Sequence, residues 1–255
     1  MRYFRGFWMA MGMFCGIPLP FHIWDEKLTA VMVAALPLVG LVIGAIWWVV
    51  GLAFAALGPP LVLAAAIMAV VPFFAAGFIH LDGYMDTSDA LLSRRDRVNR
   101  LRILKDPHVG AFAVVMLVIL FLLQFASMHA IMDGGRYLVM LVVVCALSRS
   151  CSALAILILR HMPESNYAAL LSKKRHIGNI IFIGIIAMGA ICLSVFYIGP
   201  VGLIVPGAVF LGYTMAMHTV YKSFGGISGD LLGYSMIIGE LCGLIVLALI
   251  QGVLL

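Results

Sequence analysis

The sequence predicts an all-α integral membrane protein, a polytopic helical bundle with about seven transmembrane helices. Hydrophobic residues make up 64% of the 255 residues and charged residues only 11%, and the mean hydropathy is +1.16. A soluble globular domain has about 25% charged residues. The apolar runs are long and continuous, whereas the strands of a membrane β-barrel would alternate in short segments. We expect a single membrane-embedded domain over residues 1–255.

The first residues differ from the later apolar runs. Residues 3–20 are aromatic and apolar but are interrupted by Gly16, Pro18 and Pro20. Such breaks are unfavourable for a full span, so this stretch predicts an interfacial or re-entrant element.

Polar turns then divide the chain into seven predicted spans. Gly40 and Gly44 form a GxxxG pair in the first span, which permits close helix packing. A polar centre at 80–109 follows the second span, Pro206 interrupts the sixth, and a glycine-rich loop at 223–233 precedes the last. The predicted spans are 30–57, 61–79, 110–132, 137–159, 177–198, 201–221 and 234–255.

The distribution of basic residues predicts the orientation. If the seven spans alternate in direction, the N-terminus and the loops at 80–109, 160–176 and 222–233 lie on one side, with nearly all Lys and Arg residues. The other side holds only Arg136. The positive-inside rule places the basic side in the cytoplasm. The net charge of +5 therefore reflects membrane topology, and we predict no nucleic-acid partner.

Three aspartates crowd into the polar centre in an otherwise apolar protein. Asp82, Asp86 and Asp89 are spaced i, i+4, i+7, which on a helix places them on one face. Like charges at this spacing repel, and hard cations such as Mg²⁺ prefer carboxylate oxygens. A solvated helix end paired with nearby arginines is the alternative, but the position directly after a span favours a metal site. His80 would lie nearly opposite this face.

The start of the third predicted span carries a second polar motif. Asp106 followed by Pro107 is typical of a helix N-terminus, with the aspartate as cap. A catalytic role for Asp106 is compatible with capping, because a helix N-terminus also attracts phosphate. Lys105 would either bind a phosphate or extend to the membrane interface.

The second half of the chain adds two further candidates. Glycines of the 223–233 loop, which include Gly225, Gly226 and Gly229, would let backbone N–H groups approach an anion. A flexible turn would explain these glycines alone, but Asp230 shares a predicted helix face with Glu240, which lies inside the last apolar run. Charged groups in spans are costly and usually functional. Arg149 is also intramembrane, and its expected partner is Glu240 or a substrate phosphate.

Several of these motifs together resemble the cobalamin synthase family of adenosylcobinamide-GDP ribazoletransferases. HLDGYMDTSDALLSRRDR and ILKDPHVGAFAV are similar to family stretches that read approximately HLDGLADTxDG and KDxxxGAFG. IPLP, PLVGLVIG and GGISGDLLG followed by Glu240 also match, so the resemblance covers most of the chain. The departures are Tyr84 and Met85 for Leu-Ala, Ala90 for Gly, Ser228 for Thr and Tyr234 for Ala. None of them removes an acidic residue.

The resemblance implies a Mg²⁺-dependent enzyme in the cytoplasmic membrane of a bacterium or archaeon. Its substrates would be adenosylcobinamide-GDP and α-ribazole or α-ribazole 5′-phosphate. A ribose hydroxyl would attack the phosphorus attached to cobinamide, and GMP would leave. We expect Asp82, Asp86 and Asp89 to bind metal, and one of them or Asp106 to accept the proton.

The remaining candidates would bind substrate, and two other functions stay open. The expected substrate-binding residues are His80, Lys105, Arg149, Gly225, Gly226, Gly229, Asp230 and Glu240. A phospholipid-forming CDP-alcohol phosphotransferase would require DGxxAR followed by GxxxDxxxD, which the chain lacks. A cation transporter would favour mid-membrane acids and symmetrical halves. The sequence leaves open whether the protein assembles as a homo-oligomer.

Overall fold

The protein folds as a bundle of α-helices, as the sequence predicts. The computed structural model describes residues 1–163 and 177–254. Within these residues, the extended structure is limited to one isolated bridge between His161 and Ile227. The described helices are α1 (Arg2–Phe14), α2 (Thr29–Ala34), α3 (Leu36–Leu57), α4 (Leu61–Ala75), α5 (Ile79–Leu92), α6 (Arg97–Ile103), α7 (Ala111–Met132), α8 (Met140–Ile158), α9 (Ile177–Ile198), α10 (Ile204–Phe224) and α11 (Gly229–Leu254).

The number of spans agrees with the prediction. Six helices among the described residues are long and apolar enough to cross a membrane: α3, α7, α8, α9, α10 with the short 3₁₀ turn before it, and α11. The bent pair α4 and α5 supplies a seventh crossing if it is counted as one broken span. Helix α1 has 13 residues, about 20 Å at 1.5 Å per residue, which is too short for a full span.

The first predicted span, 30–57, is not one continuous helix. The chain breaks at Ala35, between α2 and α3. Pro37 lies in the first turn of α3 and has no amide hydrogen, so it cannot continue the hydrogen bonding of α2. Proline in a first turn is well tolerated, and the crossing therefore begins at Leu36.

The second predicted span also ends early. Helix α4 stops at Ala75, and Gly77 and Phe78 both adopt positive φ values, 67° and 62°. This left-handed pair turns the chain by 96° into α5. The predicted boundary at residue 79 is therefore the first residue of α5, the helix that carries the three aspartates.

Two predicted features of the last spans are wrong. Pro206 does not interrupt the sixth span, because it lies in the first turn of α10, where its missing N–H is not needed. The last helix begins at Gly229 rather than at residue 234. The glycine-rich loop is correspondingly short, and Asp230 belongs to the first turn of α11.

Small residues allow the helices to pack closely. A Cβ at Gly40 would lie 2.5 Å from the Cys145 carbonyl oxygen, and one at Gly44 would lie 2.6 Å from the Cα of Val142. The GxxxG pair of α3 therefore contacts the backbone of α8, as its spacing predicts. Helix α8 is the central helix, and most of its residues are buried.

The second basic loop, predicted at 160–176, lies mostly outside the described residues. Its first residues, 160–162, are described and pair through their backbone with the glycine-rich loop. Ile227 donates its N–H to the Arg160 carbonyl, and Met162 donates to the Ile227 carbonyl, both at 3.0 Å. This pairing fixes the loop just before α11.

Candidate functional site

Helix α5 presents its aspartates on one face, as the i, i+4, i+7 spacing predicts. The opposite face anchors the helix to the bundle. Tyr84 is buried, and its hydroxyl donates to the Met116 carbonyl of α7 at 3.1 Å. Thr87 is also fully buried. Because this face is held by packing, Asp82 is left exposed and Asp86 and Asp89 are partly exposed.

The first turn of α11 crosses α5 at very short range. A Cβ at Gly83 would lie 2.7 Å from the Cα of Asp230, so only glycine fits here without displacing a backbone. One turn further along α11, a Cβ at Gly233 would lie 3.2 Å from the Cα of His80. The crossing brings Asp230 to the aspartates of α5, although about 150 residues separate them in sequence.

Asp86 lies at the centre of the carboxylate cluster. Its partly buried carboxyl group experiences the charges of Asp82, Asp230 and Asp89. Asp89 lies against Gly110, whose Cβ would collide with both carboxylate oxygens. Gly110 caps the N-terminus of α7, and the N-terminal end of a helix favours negative charge. Asp82, Asp86 and Asp230 form no salt bridge within the described part of the chain, so the site would attract a cation.

The carboxylate cluster is suited to a metal ion that shares its ligands with a substrate. Among the described residues, no group of three His, Cys, Asp or Glu side chains converges closely enough to hold a metal ion alone. Mg²⁺ usually binds through one or two carboxylates together with water and substrate phosphates. The oxygen donors of Asp82, Asp86 and Asp230 fit such a shared site, whereas a soft metal would prefer thiolate or imidazole.

The predicted capping role of Asp106 is wrong. Helix α7 begins at Ala111, and Gly110 occupies the capping position. The Asp106 carboxylate instead accepts hydrogen bonds from the backbone N–H of His108 at 3.0 Å and lies 2.7 Å from the His108 ring. These contacts lower the pKa of the exposed Asp106. Lys105 is also exposed, and the structure places both residues in a surface loop after α6.

The glycine-rich loop is packed against two other segments. Gly225 has a positive φ of 75°, and its Cβ would collide with the guanidinium group of Arg97. A Cβ at Gly226 would lie 2.9 Å from the Met162 nitrogen. By contrast, a Cβ at Gly229 would meet no atom within 4 Å, so this position is open. Of the predicted glycines, only Gly229 lies beside open space, and it is adjacent to Asp230.

Arg149 and Glu240 form a buried ion pair, and Glu240 is one of the two partners of Arg149 that the sequence leaves open. The Arg149 guanidinium donates to the Glu240 carboxylate, and Ser148 donates to the same carboxylate oxygen at 2.7 Å. Glu240 therefore contacts α8, whereas Asp230 contacts α5. The prediction that these two acids share one face is wrong, because ten residues make about 2.8 turns and leave them about 80° apart. The structure gives this pair a packing role.

Two side chains near the site, Phe14 and Ser152, are not predicted from the sequence, whereas Arg97 belongs to the arginines of the polar centre, which are candidates for phosphate contacts. Arg97 lies over Gly225, Phe14 stacks on the His80 ring at a centroid distance of 6.2 Å, and Ser152 is buried next to both helices of the crossing. Phe14 carries no signal in sequence, because its neighbour His80 is distant in the chain. Ser152 could have been noticed as part of the polar series Ser148, Ser150 and Ser152 inside an apolar span.

Comparison with known proteins gives consistent matches over nearly the whole chain. The family model described as cobalamin-5-phosphate synthase matches residues 6–248. An adenosylcobinamide-GDP ribazoletransferase of Clostridium perfringens (strain ATCC 13124) is 35% identical over 249 residues, which cover 97% of this chain and 99% of the relative. No solved structure matches this chain.

Relatives of the same name occur in other bacteria. The protein from Clostridium botulinum (strain Alaska E43) is 34% identical over 242 residues, covering 94% of this chain and 96% of the relative. The protein from Acinetobacter baumannii is 31% identical over 236 residues, covering 92% of this chain and 93% of the relative.

Proposed function

The chain belongs to the cobalamin-5-phosphate synthase family, and from this we propose that it is an adenosylcobinamide-GDP ribazoletransferase. The substrates are adenosylcobinamide-GDP and α-ribazole or its phosphate, and the products are adenosylcobalamin or its phosphate together with GMP. The observation that carries the proposal is the meeting of Asp82 and Asp86 with Asp230 at the α5–α11 crossing. Phosphoryl transfer requires mainly positioning and charge neutralisation, and this cluster can hold a cation for both.

The reaction exchanges a phosphoanhydride bond for a phosphoester bond. A ribose hydroxyl of α-ribazole attacks the phosphorus attached to cobinamide, the bond from that phosphorus to the bridging oxygen breaks, and GMP leaves with the oxygen. The hydroxyl proton passes to a carboxylate. We assign this role to an aspartate of α5 rather than to Asp106, because His108 already occupies the Asp106 carboxylate.

The diphosphate requires positive charge at the site. A Mg²⁺ ion bound by one or two carboxylates of the set Asp82, Asp86 and Asp230, together with substrate phosphate, would neutralise phosphate charge and stabilise the leaving group. Asp89 of α5 lies against Gly110, the capping residue of α7, and would orient this set rather than complete it. Arg97 of α6, whose guanidinium group lies against Gly225 of the glycine-rich loop, is suited to contact phosphate.

The first experiment measures GMP release from adenosylcobinamide-GDP and α-ribazole phosphate by the purified protein in detergent or liposomes. We expect release that EDTA abolishes and added Mg²⁺ restores. Asp82→Asn and Asp86→Asn should each lower kcat at least about 100-fold, because each removes charge stabilisation in the transition state. Asp133→Asn, in an exposed turn outside the cluster, is the matched control and should keep full activity.

The possible results test the proposed reaction and the proposed metal site separately. Release that persists in both α5 variants would retain the enzyme but reject the metal assignment. If folded wild-type protein releases no GMP, the proposed reaction is wrong. The two other candidate functions would then be tested by phospholipid synthesis from a CDP-alcohol and by cation flux in liposomes.

The proposed function also implies a cellular location and a membrane orientation for the protein. The apolar helices indicate a multi-pass membrane protein, and we place it in the cytoplasmic membrane with the carboxylate cluster and the N-terminus facing the cytoplasm. The excess of Lys and Arg on that side supports the orientation. Both nucleotide-containing substrates would then reach the site from the cytoplasm.

A further inference from the structure

A cavity of about 260 Å³ lies next to the carboxylate cluster. Its far walls are apolar and come from several helices, including Met13 of α1, Leu36 of α3 and Met236 of α11. The end nearest the aspartates is formed by Asp230 and by Gly229, which is exposed. The cavity therefore extends from the proposed reaction site into the interior of the bundle.

Several polar side chains line this space, and Ser152 is the most deeply buried of them. Ser152 of α8 lines the cavity and is 1% exposed. The Tyr213 hydroxyl lies close enough to interact with Ser152, but within the part of the chain that the structure describes neither hydroxyl meets the distance and angles of a normal hydrogen bond. A buried hydroxyl is costly unless it is paired, which is consistent with a ligand as the partner.

The cavity also has an aromatic wall. The rings of His80 and Phe14 both line it and stack with an interplanar angle of 12°. Parallel rings of this kind favour a flat aromatic ligand, since offset stacking adds to the gain from apolar burial. We therefore expect His80, which the sequence predicts to bind substrate, to do so by stacking against an aromatic group.

The size and polarity of the cavity indicate which chemical group of the two substrates it can accommodate. Pockets for drug-sized ligands have roughly 300–1,000 Å³, so this smaller cavity cannot enclose a corrin macrocycle. Guanine presents several donors and acceptors that the mostly apolar walls would leave unpaired. A benzimidazole-type base is flat, apolar and bicyclic, and once joined to ribose it retains a single nitrogen acceptor.

We propose that this cavity binds the aromatic base of α-ribazole, with Ser152 donating a hydrogen bond to its free ring nitrogen. The base would lie beside His80, and the ribose would project past Asp230 toward the aspartates of α5. Ser152 and the apolar walls would then determine which bases the enzyme accepts. This inference rests on the proposed function, because it assumes α-ribazole as the nucleophilic substrate.

The test compares two single-atom deletions in the same helix. Ser152→Ala removes the hydroxyl that lines the cavity. Ser150→Ala is the control, because Ser150 is equally buried but its hydroxyl is bonded to the Ala146 carbonyl at 2.7 Å. Binding of α-ribazole to each purified protein is measured by equilibrium dialysis, and KM is determined separately for each substrate.

We expect Ser152→Ala to weaken α-ribazole binding about tenfold, the effect of losing one hydrogen bond to a buried acceptor. The KM for α-ribazole should rise by a similar factor, while the KM for adenosylcobinamide-GDP stays unchanged. A ribazole analogue with a carbon in place of the free ring nitrogen should bind the wild type and Ser152→Ala equally. Ser150→Ala should match the wild type throughout.

Other results would overturn the inference. If Ser152→Ala binds α-ribazole like the wild type, the base does not use this hydroxyl. If both KM values rise together, or if Ser150→Ala behaves in the same way, the effect is one of general packing. If the wild type releases GMP but Ser152→Ala binds α-ribazole as tightly as the wild type, only the cavity assignment is rejected. If the wild type releases no GMP, the proposed function is rejected. Dialysis that detects no binding of α-ribazole to the wild type rejects the cavity assignment directly.

Discussion

Arg149 and Glu240 show how single residues bear on stability inside the bundle. Both are buried, and Ser148 and the Cys145 carbonyl supply additional hydrogen bonds to the pair. Removing one member of such a pair leaves an uncompensated charge, whereas removing both does not. The pair therefore constrains how α8 and α11 pack.

A double-mutant cycle tests this interpretation. Arg149→Met and Glu240→Gln should each destabilise the protein by about 3–5 kcal/mol, and the double variant should lose less than the sum of the two. Unfolding in mixed micelles with increasing denaturing detergent provides the measurement. Additive losses would show that the two charges do not depend on each other.

Asp106 provides a second prediction for a single residue. It is exposed, and its carboxylate is occupied by His108. We expect Asp106→Asn to reduce kcat less than about tenfold, far less than Asp86→Asn, because the amide retains an oxygen that can accept the His108 N–H. Steady-state kinetics of both variants decide the matter, and an equal loss would return Asp106 to the role of proton acceptor.

At the scale of elements, the site depends on how closely α5 and α11 approach. Gly83 is the residue that permits the contact, since a Cβ there would lie 2.7 Å from the Asp230 backbone. The left-handed turn at Gly77 and Phe78 directs α5 to this crossing. The spacing of the α5 aspartates can be read from the sequence, but only the helix crossing brings Asp230 close to them.

Gly83→Ala should therefore separate the two helices and displace Asp230. We expect GMP release to fall at least about tenfold, since small displacements of catalytic groups have large effects on rate. Gly184→Ala in α9 is the matched control, because its Cβ would meet nothing within 4 Å. Unchanged activity in Gly83→Ala would mean that the crossing can open without cost to the site.

At the scale of the whole molecule, the arrangement of spans places all parts of the site at one end of the bundle. The N-terminal half supplies α5 and the C-terminal half supplies the start of α11. The turn that follows α7, with Asp133 and Gly134, lies at the other end of that span.

Cysteine labelling in intact cells tests this topology. In a variant without the five native cysteines, Gly134→Cys should react with a membrane-impermeant maleimide from outside. Val98→Cys, which lies in α6 at 74% exposure, should react only after permeabilisation. Labelling in the reverse order would place the carboxylate cluster outside the cytoplasm and contradict the proposed orientation.

The sequence by itself determined the fold class, the approximate number of spans, the helical face of Asp82, Asp86 and Asp89, and the need of Arg149 for an anionic partner. These features follow from local composition, from helical periodicity and from the cost of an unpaired charge in an apolar span. The family resemblance follows from motifs that can be read along the chain.

Only the tertiary structure decided where Asp106 and Glu240 lie, and that Asp230 joins α5. It also revealed the cavity with Ser152 and the stacking of Phe14 on His80. The physical reason is that these relations depend on helix crossings and on short turns. Glycine permits such contacts, but its position in a sequence does not specify which backbone will approach it.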